Sequence, residues 1–114
     1  MIDQVRPAGL AAWMNSHATG VGNAVVLDVR QPAELAVASV KPDGFELVAI
    51  PMSEIAQRLS ELDPDRPVAC LCHTGMRSQR VAMFLAANGF TQVANVAGGI
   101  DAWSRELDPG VPLY

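Results

Sequence analysis

Four short runs of apolar, mostly branched residues constrain this chain most: Ala24 to Val29, Leu47 to Ile50, Val68 to Leu71 and Val93 to Val96. Ala24 to Val29 has the look of a strand buried on both faces, and the other three read as short strands. The first ends in Asp28, Val29 and Arg30, and the second is closed by Pro51. Between the runs the spacing is helical. Pro7 starts a helix with Leu10, Trp13, Met14 and His17 on one face, and Gly20 and Gly22 end it. Pro32 starts a short helix with Glu34 in its first turn. Residues 39 to 46, with Pro42, Asp43 and Gly44, read as a loop. Ser53 caps a helix burying Ile55, Leu59 and Leu62 and stopped by Pro64. From Ser78 a helix presents Val81, Phe84, Leu85 and Asn88, with Gly89 at its stop. Gly98 and Gly99 turn the chain into a last helix, Ile100 to Leu107, that buries Trp103, and Pro109 and Pro112 mark an extended tail.

Strands alternating with helices give an α/β fold, a parallel sheet with helices on both faces whose ligands bind at the carboxyl ends of the strands. The 114 residues are enough for one core, so residues 1–114 read as a single domain. Aromatic residues make up only 5% of the chain, so small and branched side chains must fill that core. A net charge of −4 argues against nucleic acid and against a membrane surface as partners. Residues 81–100 carry no charge, yet Asn88, Gly89, Thr91, Gln92, Asn95, Gly98 and Gly99 break them into helix, turn and strand rather than a membrane span. The first residues do not read as a signal peptide, and the cytoplasm is the expected compartment. Cys70, Cys72, His17 and His73 lack the spacing of a four-ligand set, so no metal is expected.

The stretch Val68-Ala69-Cys70-Leu71-Cys72-His73-Thr74-Gly75-Met76-Arg77-Ser78 carries the chemistry. A cysteine leaves a buried strand, a glycine-bearing loop follows, and a helix begins beyond it. Backbone N–H groups can then converge on the sulfur, which also faces the positive end of the helix, and both effects favour a thiolate. Arg77 adds a fixed cation whose fork fits an oxyanion. A thiol with a pKa of about 8.5 is only a few per cent ionised at neutral pH, and such a setting lowers that pKa by about one to several units. Cys72 reads as a nucleophile, with His73, Thr74, Gly75, Met76, Arg77 and Ser78 forming its substrate-binding loop. Gly75 supplies a positive φ or a close approach to the sulfur. Thr74 and Ser78 either donate to a bound oxyanion or fix the loop and cap the helix. Cys70, two positions back, points into the core. Nine of the twelve acidic residues lie at or before Asp65 and three at or after Asp101, while Arg66, Arg77 and Arg80 lie between. The simple inference is an anionic substrate.

This segment resembles the active-site loop of the rhodanese-type sulfurtransferases. Leu27-Asp28-Val29-Arg30-Gln31-Pro32 with Glu34 is similar to that family's Asp-Val-Arg-x-Pro-x-Glu element, and Gly98-Gly99-Ile100-Asp101-Ala102-Trp103 to its Gly-Gly-x-x-Ala-Trp ending. The resemblance implies a three-layer rhodanese-like fold around a five-stranded parallel sheet. It also implies a persulfide on Cys72, loaded by a small anionic donor such as thiosulfate and emptied by cyanide or a thiol acceptor, with no dissociable cofactor. Asp28 would brace the scaffold and Arg30 stand near the mouth, unless Arg30 only forms a surface ion pair with Glu34. His73 stands where many thiosulfate-using members carry arginine, and the family's Gly-His-Ile element is absent. Cys72 to Arg77 spans six residues, the length of the sulfurtransferase loop, whereas related phosphatases use one more. The alternative is a non-catalytic or persulfide-carrier module acting with a partner protein.

Overall fold

The computed structural model describes residues 2–17 and 24–114. Five strands, β1 (Asp3–Val5), β2 (Val25–Asp28), β3 (Glu46–Ala49), β4 (Val68–Leu71) and β5 (Val93–Val96), form one sheet in the order β1-β5-β4-β2-β3. Every pairing is parallel. The helices are α1 (Leu10–His17), α2 (Pro32–Val37), α3 (Met76–Ala87) and α4 (Gly99–Glu106).

The strand residues divide by parity, as a pleat requires. Val26, Ala69, Leu71, Ala94 and Val96 join a core with Leu10, Trp13, Ile100 and Trp103. Val25, Leu27, Val68, Cys70 and Val93 join another with Val81, Leu85, Ile55 and Leu62. The two clusters flank the sheet, which gives the expected three-layer α/β arrangement. Cys70 is fully buried in the second cluster and Trp103 is buried in the first, both as read from the sequence.

Three local expectations change. The segment Asp3–Val5, assigned no structure from its sequence, is an edge strand, with Asp3 opposite Ala94 and Val5 opposite Val96. Its three mostly exposed residues carry no apolar run to announce it. Residues 53–62 do not form one helix. Two 3-10 turns, Met52–Glu54 and Leu59–Glu61, occur instead, and Ser53 makes no cap. Ile55, half-buried Leu59 and buried Leu62 do share one side, as the spacing suggests, but the backbone leaves the helical conformation at Arg58 (φ −109°, ψ +16°), which splits the segment into separate turns. Finally, α3 begins at Met76 rather than Ser78, and its buried side is Ser78, Val81, Ala82 and Leu85, while Phe84 and Asn88 face outward. Gly89, with φ +92°, ends that helix as expected. Gly20 and Gly22 lie outside the described residues. Among the described residues no helix is long and apolar enough to cross a membrane.

Candidate active site

Strand β4 delivers Cys72 to the carboxyl edge of the sheet, and the chain turns through His73, Thr74 and Gly75 into α3. Gly75 has φ +104°, the left-handed conformation that lets the loop curl back over the sulfur. The Gly75 N–H donates to Cys72 Sγ at 3.1 Å, and the Ser78 hydroxyl lies 3.2 Å from the same sulfur. What turns these N–H groups inward is visible on the other side of the loop. The first N–H groups of a helix lack partners within it, and those of α4 find them in the loop: Ile100 N–H donates to the Cys72 carbonyl at 2.8 Å and Asp101 N–H to the His73 carbonyl at 3.1 Å. With the His73 carbonyl held outward by α4, the Thr74 N–H of the same peptide unit is free to face the sulfur.

Cys72 is 1% exposed. Burial pushes its thiol up, but the Ser78 hydroxyl and the backbone N–H groups of Ser78, Gly75 and Thr74 outweigh that cost and leave the thiol below its ordinary value. Among the described residues Cys70 has no such donors; burial, and then the charge of Cys72, push it far up. The two cysteines are free, yet only Cys72 is held ready to ionise. Among the described residues no group of three His, Cys, Asp or Glu side chains is placed to hold a metal ion.

The arginines are placed differently from the sequence expectation. Arg30 does not stand at the mouth and does not pair with the Glu34 carboxylate. It is fully buried and bound to Asp28, Nη2 to Oδ2 at 2.6 Å and Nε to Oδ1 at 2.9 Å. Its Nη1 reaches the Glu34 carbonyl and the Tyr114 hydroxyl. Asp28 thus braces the scaffold by pairing with Arg30. The Glu34 carboxylate instead takes Arg77 fork to fork, Nη1 to Oε1 at 2.6 Å and Nη2 to Oε2 at 2.8 Å. Arg77, chiefly through that bond, holds Glu34 down at about 2, against a smaller opposing effect of burial. Arg66 pairs with Glu46. Of the three arginines in the acid-free segment, Arg80 is the one with no ion pair among the described residues. It borders an open groove of about 490 Å³ that runs past Thr74, Met76, Gln79 and Gln4.

The remaining predicted residues fall around this frame. Thr74 is exposed and contributes its backbone N–H. Met76 points to solvent, 73% exposed, so its side chain lies away from the sulfur. His73 is half-buried, and its ring stacks on Tyr114 with centroids 4.0 Å apart and planes at 9°. The loop therefore gathers Gly75 and Ser78 around Cys72 Sγ, with Arg77 bound to Glu34, while Asp28 and Arg30 form a separate buried pair. Two residues escaped the sequence reading. Tyr114, whose hydroxyl donates to Glu34 Oε2 at 2.8 Å, had no local signal. Asn95, 2.5 Å from the Ser78 hydroxyl, had one: it is a polar residue inside an otherwise apolar strand.

Comparison with known proteins gives concordant likenesses. The rhodanese-like domain family matches residues 10–106. A sulfurtransferase of Allochromatium vinosum is 38% identical over 89 residues, 78% of this chain and 77% of that protein. The chloroplastic rhodanese-like/PpiC domain-containing protein 12 of Arabidopsis thaliana is 37% identical over 95 residues, 80% of this chain but 30% of that longer protein. Among solved structures, a rhodanese-related protein from Thermoplasma volcanium superposes with a TM-score of 0.76 at 30% identity, covering 98% of this chain and 99% of that one.

Proposed function

The chain belongs to the rhodanese-like domain family, and on that premise we propose that it is a sulfurtransferase that carries sulfane sulfur as a persulfide on Cys72. The observation that supports this most is the set of donors converging on Cys72 Sγ, which favours its thiolate. In the first half-step the thiolate attacks the outer sulfur of a small anionic donor such as thiosulfate. The Sγ–S bond forms, the donor's S–S bond breaks, and sulfite leaves with the electron pair. In the second, cyanide takes the outer sulfur and leaves as thiocyanate, or a thiolate takes it and leaves as a persulfide. Either way the electron pair returns to Sγ, in ping-pong fashion. The N–H groups of Thr74, Gly75 and Ser78 hold the charge on the persulfide, and Arg77 offers its fork to a donor oxyanion once Glu34 yields it. No dissociable cofactor takes part. Two free thiols suit a reducing compartment, and we assign the cytoplasm.

The test is intact-protein mass after incubation with thiosulfate, for the wild type and Cys72→Ser, each with and without cyanide. The proposal expects one added sulfur on the wild type alone, removed by cyanide. A mass gain that survives Cys72→Ser overturns it. Met76, exposed beside the Cys72 loop, favours a second reading, a carrier loaded by a partner protein. That reading expects no mass gain from thiosulfate and a gain on Cys72 from a protein persulfide.

A further inference from the structure

Ser78 is fully buried, and its hydroxyl has one proton but two neighbours that accept it: Cys72 Sγ at 3.2 Å and Asn95 Oδ1 at 2.5 Å. Which end of the Asn95 amide faces Ser78 is fixed by the opposite end. Asn95 Nδ2 lies 3.2 Å from the Gly75 carbonyl, which can only accept, and 3.0 Å from Gln4 Oε1. The amide nitrogen must therefore face Gly75 and the amide oxygen must face Ser78. Sulfur and amide oxygen then compete for a single proton. When Cys72 is a thiol, its S–H donates to the Ser78 oxygen and the hydroxyl donates on to Asn95. When Cys72 is a thiolate, the charge draws the hydroxyl to Sγ, and Asn95 Oδ1 loses its donor. A charged acceptor wins such a contest over an amide, though at the cost of the bond given up.

We propose that Asn95 is a positioning residue for Cys72: acting through Ser78, it holds the hydroxyl proton while the sulfur is uncharged and releases it to the sulfur when negative charge forms there. In the sulfur-transfer cycle the hydroxyl turns without losing its proton. It faces Sγ in the free thiolate. It returns to Asn95 when the Sγ–S bond has formed and the donor's S–S bond has broken, leaving Sγ neutral. It swings back when the acceptor takes the outer sulfur and the electron pair of the Sγ–S bond returns to Sγ. Among the described residues, the charged or ionisable side chains that feel the charge of Cys72 are Arg77 on α3 and Cys70 on β4. Asn95, on β5, brings a neutral amide to the same cluster. The inference rests on the reading of Cys72 as the reacting group and on nothing about its donor.

The experiment is a pH titration of the thiolate ultraviolet absorbance, with Cys72→Ser as the blank, for the wild type, Ser78→Ala, Asn95→Ala and the double variant. Removing the competitor lets Ser78 serve the thiolate alone, so Asn95→Ala moves the Cys72 midpoint down by about half a unit to one unit, the worth of one hydrogen bond. Ser78→Ala moves it up, and in that background Asn95→Ala has no further effect. The Gly75 carbonyl keeps the Gln79 N–H at 3.3 Å as a donor, so the loop is not left with an orphaned carbonyl. If Asn95→Ala does not fold, Asn95→Val refills most of the volume with a strand-favouring side chain and must give the same shift. An unchanged or raised midpoint in the Asn95 variants overturns the proposal, as does a shift that persists without Ser78. Because the titration needs no sulfur donor, a failure of persulfide loading would sink the functional reading and leave this result standing.

Discussion

At the scale of single residues, the hardest demand in this molecule falls on Asp28 and Arg30, two opposite charges removed from water side by side. A buried carboxylate is tolerable only with its hydrogen bonds made. Asp28 takes three from Arg30 side-chain N–H groups and one from the Arg30 backbone N–H. Arg30→Ala would leave that carboxylate buried and unpaired, and we expect a loss of about 3–5 kcal/mol in urea unfolding. Replacing both, Asp28→Leu with Arg30→Met, is expected to cost less than the single change, because no charge is left stranded. A single variant within about 1 kcal/mol of the wild type would contradict this, since that is the range of a solvated surface pair.

At the scale of elements, the Gly98-Gly99 pair explains how α4 reaches the Cys72 loop. A Cβ built on Gly99 would stand 2.4 Å from the His73 carbonyl oxygen and 2.5 Å from that of Cys72, where φ is already +61°. Only a glycine lets α4 come close enough for Ile100 and Asp101 to bond those carbonyls. Gly99→Ala therefore combines left-handed strain with a backbone clash, and we expect it to lose clearly more stability than Gly89→Ala. That second glycine also has positive φ but has open space around it, so its replacement should cost only about 1–2 kcal/mol. Equal losses in parallel denaturation curves would show that the close approach is not what Gly99 provides. Elements were legible where a local signal marked them, an apolar run for β2 to β5 and Pro32 for α2, even though β3 and α2 contain no buried residue. Val93–Val96, apolar but for Asn95 and buried throughout, was read to the residue, and Cys72, Gly75 and Arg77 were read together because they lie in one contiguous loop. Asp3–Val5 was not, because an edge strand paired on one side needs no apolar pattern to form. Residues 53–62 bury the side that a helix would, Ile55, Leu59 and Leu62, yet do so through two 3-10 turns, so the apolar spacing alone does not distinguish them from a continuous helix.

At the scale of the whole molecule, charges that look segregated along the chain are brought together in the fold. The acid-free segment with Arg66, Arg77 and Arg80 suggested a cationic site, but β3 supplies Glu46 to Arg66 and α2 supplies Glu34 to Arg77 from 43 residues away. No local pattern encodes such a pairing; it depends on which strand neighbours which. Glu34 is also where distant parts meet, since its carboxylate binds Arg77 of α3 and the Tyr114 hydroxyl of the tail while its carbonyl accepts from buried Arg30. Its folded value of about 2 lies below the ordinary 4.5, so the folded state binds this proton less tightly than the unfolded chain does. The stabilisation is therefore fully present above about pH 4.5 and is lost as pH falls from there towards 2. The pair is partly exposed, 32% for Arg77 and 21% for Glu34, so water and salt reduce the effect. Glu34→Gln keeps an acceptor for the Gln31 N–H but carries no charge. It is expected to be less stable than the wild type at neutral pH, to lose less on acidification, and to converge with it near pH 2. Melting temperatures of the two proteins across that range decide the matter. Parallel curves would mean that the Glu34–Arg77 bond does not couple α2, α3 and the tail to the stability of the fold.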